Sequence, residues 1–294
     1  MTPAKDTSLI ASTPSTTHKQ RVNWHDAAAC AIEIELRDHA AFLQFIREFI
    51  LGRNNYRIDI LIIKKISDRN ITKNFAQFFK TYNLIECKGI HSSLTASAYY
   101  KTIGYAGLLI NQLNSTSSSQ CSPLDLSITF LTFRYPRKLL THLISDRKLT
   151  VEKICAGIYH ISIETFDIQI IVTQQLPPEE NLYLRCLTSD LKDTSLIHRL
   201  VDDYTKHQNE DIYIKYMNQL TTANIKTEGE FTMVCEGLFN LFGTSSAEII
   251  AQAKQEARKE SETQIRELSL SVEQLSSQID HLKELLRKNN ISFE

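Results

Sequence analysis

Apolar positions along this chain change their period several times, and each change marks an element. Between residues 23 and 49, Trp24, Ala28, Ala31, Ile32, Leu36, Phe42, Phe45, Ile46 and Phe49 recur mostly at steps of three and four, which predicts a helix. The β-branched run 58–65 then predicts a strand, and residues 83–88 a second one. Asp68-Arg69-Asn70 makes a turn between them, followed by a short amphipathic piece over 71–79. Residues 97–113 return to a helical period, with Tyr100, Ile103, Tyr105, Leu108 and Leu109 apolar. A serine-rich loop covers 114–122, a long strand 124–133, and a helix opened by Pro136 runs to 144. Residues 157–163 and 166–173 read as a hairpin turning at Glu164-Thr165. After Pro178 the pattern is helical over 179–187, 194–206, 211–220 and 228–242.

The two ends read differently. Residues 1–22 are rich in Ser, Thr and Pro without an apolar period, as in a disordered tail. Near the other end Ile265, Val272 and Ile279 fall at heptad a positions, with Leu268, Leu275 and Leu282 at d. Such a seam favours a parallel two-stranded coiled coil, so 265–286 predicts a homodimer. The expected organisation is a tail (1–22), an α/β core (23–190), a helical subdomain (191–244) and a coiled coil (245–294).

Formal net charge is −1 over 294 residues, so the molecule as a whole advertises neither nucleic-acid nor membrane affinity. Charge is unevenly spread, however. Residues 56–148 hold 13 Lys and Arg against 5 Asp and Glu, a basic region of the kind that binds phosphate. The six cysteines never form CxxC and the nine histidines form no HExxH, which argues against zinc and disulfide frameworks. No segment approaches a membrane span in length, and a reducing cytoplasm fits best. With no GxGxxG and no GxxxxGK[ST], nucleotide-cofactor and P-loop readings fall away.

Candidate chemistry lies where ionisable residues interrupt apolar runs. Asp59 opens an aliphatic strand, and Glu86 and Lys88 bracket Cys87 at the end of another. Residues i and i+2 of a strand share a face, so Glu86 and Lys88 project together, and Asp59 can reach them if the strands pair. Buried carboxylates are costly unless paired or metal-bound. Two of them with a lysine suit a hard divalent cation, Mg²⁺ or Mn²⁺, and a base or charge stabiliser. Asp146-x-Lys148 and Asp190-x-Lys192 repeat the tripeptide in polar surroundings, where solvation explains it. The competing reading is a buried acid–lysine pair that fixes strand register, although such pairs stabilise poorly.

The order helix with Glu48, strand with Asp59, strand with Glu86 and Lys88, helix, strand resembles the αβββαβ core of the PD-(D/E)XK nuclease superfamily. Trp24-His25-Asp26-Ala27-Ala28, Arg57-Ile58-Asp59-Ile60-Leu61-Ile62-Ile63-Lys64-Lys65 and Asn83-Leu84-Ile85-Glu86-Cys87-Lys88 look more closely like bacterial proteins related to the Rpn (recombination-promoting, transposase-like) nucleases. Tyr99-Tyr100-Lys101-x-x-Gly104-Tyr105-Ala106, Tyr135-Pro136-Arg137-Lys138-Leu139-Leu140, Gly157-Ile158-Tyr159 and Gln169-Ile170-Ile171-Val172 are similar to that group too. The resemblance spans about 24–242 and leaves out the coiled coil.

The resemblance implies a restriction-endonuclease-like mixed sheet flanked by helices, followed by a helical segment, and metal-dependent hydrolysis of DNA. It assigns Asp59 and Glu86 as metal ligands with the Cys87 carbonyl as a third. Lys88 would position or deprotonate water, or stabilise the charged phosphate. Glu48 would bind a second cation or orient water from its helix, while Lys101, Tyr100 and Lys64 would contact substrate. Ile58 stands where the superfamily has proline, Gly89-Ile90 where close relatives carry Ser-Pro, and Phe49 where they carry histidine. The alternative is a non-catalytic binding or assembly protein on a nuclease-like fold that oligomerises through its coiled coil.

Overall fold

A computed structural model describes residues 22–52, 56–64, 69–116 and 120–224, with the isolated position 269. The tail, the helix expected at 228–242 and the coiled-coil seam lie outside the described residues. What is described is an α/β protein built on a seven-stranded mixed sheet. Helix α1 (Trp24–Glu35) precedes β1 (Leu43–Leu51), β2 (Tyr56–Lys64) and β3 (Tyr82–Cys87). Helix α2 (Ala96–Thr116) crosses to β4 (Leu126–Thr132), and α3 (Arg137–Thr141) continues into a π turn over His142–Asp146. Strands β5 (Thr150–Cys155), β6 (Ile158–Ser162) and β7 (Asp167–Val172) follow, then α4 (Leu182–Arg185), α5 (Thr194–Lys206) and α6 (Asp211–Asn224).

The spatial order is β1-β2-β3-β4-β7-β6-β5. Strands β3, β4 and β7 run parallel in the middle, and antiparallel hairpins extend the sheet on both sides. Every residue of β4 is buried, as expected of a parallel strand covered on both faces. Alternate residues feed two apolar layers. Ile60, Ile62, Ile85 and Leu131 meet α1, α4, α5 and α6 on one face. Leu61, Leu84, Ile128 and Phe130 meet α2 and α3 on the other. Four consecutive alanine and cysteine side chains of α1, Ala27 to Cys30, are buried, since small residues let that helix sit close to its neighbours. Among the described residues no helix is long and apolar enough to cross a membrane.

The helix expected over 23–49 is two elements. Helix α1 stops at Glu35, a 3₁₀ segment covers Arg37–Phe42, and the remainder is strand β1. The reason is an interruption of the β1–β2 hairpin. Pairing runs from Leu43↔Lys64 to Arg47↔Ile60 and resumes at Phe49↔Ile58, leaving Glu48 and Asp59 unpaired opposite one another. Glu48 has φ +48°. Before the break Leu43 and Phe45 face the α1 layer; beyond it Phe49 and Leu51 face the α2 layer. One extra residue in each strand thus inverts the alternation without changing the register. The resulting apolar positions, 42, 45, 46 and 49, imitate the spacing of a helix.

Other differences are smaller. Strand β5 was not expected; it is an edge strand whose Glu152 and Lys153 leave little apolar alternation. The helix anticipated at 179–187 is the single turn α4. Its N-terminal amides find an acceptor in Glu35, whose Oε1 takes the Tyr183 N–H at 2.7 Å.

Candidate acid–lysine site

The site forms where β2 and β3 part. Their last pair at this end is Ile60↔Ile85, so Asp59 and Glu86 occupy the next positions on the two strands. Asp59 stands in for a missing ladder acceptor: its Oδ2 takes the Cys87 N–H at 2.7 Å. A carboxylate therefore occupies a place in the sheet normally held by a backbone carbonyl. Glu86 alternates with Leu84, pairs laterally with Phe130 and faces the α2 layer. Its side chain is 3% exposed.

Two lysines converge on one oxygen of Glu86. Lys88 Nζ lies 2.6 Å from Oε1 and Lys101 Nζ, from the second turn of α2, lies 3.3 Å from it. Lys101 also sits over the Tyr105 ring, 5.1 Å from its centroid. The backbone N–H of Lys88 donates to Leu131 O at 2.8 Å, which ties the residue to β4 just past the end of β3. Cys87 faces the α1 layer, and burial, with the charges of Asp59 and Glu86 adding to it, holds its thiol well above the ordinary range.

His25 completes the cluster from the first turn of α1. Its Nδ1 lies 3.1 Å from Asp59 Oδ2 while half of its side chain remains exposed. The hydrogen bond to Asp59 raises the imidazole pKa above 6.5 against the opposing effect of burial, and the charges of Glu86 and Lys88 act on it as well. Packing fixes this end of the helix. Trp24 lies against Gly89, where an added Cβ would meet its side chain at 3.4 Å. Arg47 of β1 reaches Glu33 Oε1 at 2.8 Å and also binds Asp26.

Of the residues singled out from sequence, Glu86, Lys88 and Lys101 come together, and Asp59 meets the backbone of Cys87 at the adjoining strand position. Glu48 sits across from Asp59 on β1, not on a helix, and its carboxylate is exposed and paired with Arg57 at 2.7 Å. Lys64 is at the other end of β2, five residues or about 16 Å from Asp59. Tyr100 turns away toward the π turn, where its hydroxyl lies 3.2 Å from His142 Nε2 and His142 Nδ1 lies 2.8 Å from Asp146. His25 was quoted only within a motif. No periodicity signals it, because its partner lies 34 residues away in the chain.

Anionic oxygens from Asp59 and Glu86 suit a hard divalent cation by donor chemistry. As placed, the donors form pairs. Among the described residues no group of three or more His, Cys, Asp or Glu side chains is gathered as a metal site. The class of protein defined so far is a mixed-sheet α/β protein with an acid–lysine cluster where two strands diverge. No family model matches the chain, and neither does any curated protein or solved structure.

Proposed function

We propose that this chain is a nuclease of the PD-(D/E)XK type that hydrolyses phosphodiester bonds of DNA with a bound Mg²⁺ or Mn²⁺. The observation that carries the proposal is that Asp59, on the Cys87 N–H, and the Glu86–Lys88 pair occupy the adjoining strand positions where β2 and β3 separate. Support also comes from the order α1-β1-β2-β3-α2-β4 and from the basic balance of residues 56–148. Asp59, Glu86 and the Cys87 carbonyl are the groups that would hold the cation. When bound, the cation supplies Lewis acidity and a lowered pKa for attacking water. Lys88, released from Glu86, would orient that water or neutralise charge on the phosphate. Lys101 would hold a phosphate oxygen at the mouth of the site. Self-association through 265–286 would set two such sites side by side for cutting both strands.

The test uses full-length protein, supercoiled plasmid and Mg²⁺ or Mn²⁺. Wild type should nick or linearise the plasmid, while Asp59→Ala and Lys88→Ala, checked for folding by circular dichroism, should not. Equal cutting by all three would mark a contaminant and end the proposal.

One observation favours a second reading, a non-catalytic binding or assembly protein. Both carboxylates already have partners, Glu86 in two lysines and Asp59 in His25 and a backbone N–H. On that reading Mn²⁺ leaves the melting temperature unchanged. On the first it raises the melting temperature of wild type and not of Asp59→Ala.

A further inference from the structure

We infer that the outer face of α2 is a track for an unpaired DNA strand, with a cleft for one nucleobase beyond Lys101. This names a substrate for the nuclease reading and rests on that reading for the phosphate contact. The argument starts from the composition of the helix. Tyr99, Ala106 and Leu109 enter the apolar layer. The opposite stripe, at steps of three and four, carries Lys101, Tyr105, Leu108, Gln112 and Ser115. A solvent-facing stripe normally carries several charges. Here Lys101 is the only charged residue of the whole helix, and rings and amides follow it.

Contacts run continuously from the acid–lysine cluster to the cleft. Lys88 and Lys101 share the single carboxylate of Glu86, which leaves this trio with positive charge to offer a phosphate. Lys101 Nζ lies 5.1 Å from the Tyr105 ring centroid, and the Tyr105 and Tyr56 centroids are 5.6 Å apart with the rings tilted by 35°. Tyr56 and Leu108, 43% and 44% exposed, then wall a cleft of about 210 Å³ that Leu51, Gly52, Asn111 and Gln112 help to close. No acidic residue lines it, so nothing there repels a phosphodiester strand. Gln112 fixes the walls: it accepts the Gly52 N–H at 2.8 Å and donates to Ile50 O at 3.4 Å. Sites for drug-sized ligands run to about 300–1,000 Å³; this smaller space suits one planar ring. Unpaired bases stack on aromatic side chains in this way, whereas a duplex keeps its bases inside the stack. Positions 101 and 108 stand about 10 Å apart along the helix, so one short stretch of strand reaches both.

The experiment measures fluorescence anisotropy with full-length protein, in EDTA so that nothing is cut. The labelled probes are a short DNA single strand, its duplex and an abasic single strand. Wild type should bind the single strand about tenfold or more tightly than either other probe. Tyr56→Ala and Leu108→Ser, both at exposed positions and checked for folding by circular dichroism, should lose that preference and bind the abasic strand as wild type does. Tyr56→Phe keeps the ring and should bind as wild type. Lys101→Ala should weaken all three probes and lower the salt slope by about one. Equal binding of single strand and duplex, no binding of either, or unchanged preference in both Tyr56→Ala and Leu108→Ser overturns the inference. If wild type cuts plasmid without that preference, the track falls and the nuclease reading stands. The preference in a protein that cuts nothing upholds the track and removes hydrolysis.

Discussion

Glu86 and Lys88 offer the sharpest test of whether the cluster serves the fold or a chemical task. In Glu86→Ala, Lys88 keeps its charge at 16% side-chain exposure with no carboxylate at 2.6 Å. Losing one member of a buried pair costs about 3–5 kcal/mol. For a protein of this size that is a fall in melting temperature of about 10 °C. Lys101, about half exposed, can turn to water and adds little. The informative variant is the double one, Glu86→Leu with Lys88→Met. Position 86 faces an apolar layer beside Phe130, so leucine gains neighbours there and no charge is stranded. Exchanging a buried pair for apolar residues is commonly neutral or stabilising by about 1–4 kcal/mol. The double variant should therefore match or exceed wild type in urea denaturation followed by circular dichroism, while binding no Mn²⁺. If it is as unstable as Glu86→Ala, the pair is a structural element and the reasoning fails.

Four further outcomes are expected. Burial holds the Glu35 carboxyl above 4.5 despite Lys73 at 2.5 Å and the Tyr183 N–H. The folded state then keeps this proton more tightly than the unfolded chain, so the group's contribution to stability is greatest below about pH 4.5 and declines as pH rises through the higher folded value. A pH series of urea midpoints should show that decline in wild type and a flatter course in Glu35→Gln. Gly157 has φ +80° and an added Cβ would stand 2.9 Å from both Leu176 N and Val172 O; Gly157→Ala should cost well over about 1 kcal/mol. Gly52→Ala, at φ +60° in open space, should cost about 1–2 kcal/mol in the same assay. Finally, Cys30, Cys87 and Cys186 are buried with thiols raised by burial, whereas Cys155 is partly exposed. Alkylation of the native protein followed by mass mapping should modify Cys155 before those three.

What could be read from sequence depended on whether one periodicity governed an element throughout. Helix α5 was legible to the residue because Leu196, Ile197, Leu200, Val201 and Tyr204 form its buried stripe and Asp193 caps it, accepting the Leu196 N–H. Strand β2 was legible from β-branched content and β3 from an apolar run ending at Glu86, which brought Asp59, Glu86 and Lys88 to notice. Strand β1 was hidden because a change of phase midway makes two short strand patterns sum to a helical one. Strand β5 was hidden because edge strands need no apolar face. The contact of His25 with Asp59 was invisible for a different reason, since it depends on how α1 lies on the sheet.

The paired interruption at Glu48 and Asp59 also says something about dispensability. Excising both residues together would leave a seamless hairpin: Ile46 and Phe49, like Ile58 and Leu61, would stand two apart on a common side, and every rung on either flank would keep its mate. Packing alone thus has no need of this dislocation. Such a shortened chain should still fold, and what it would lack is the carboxylate that the dislocation holds out beside Glu86.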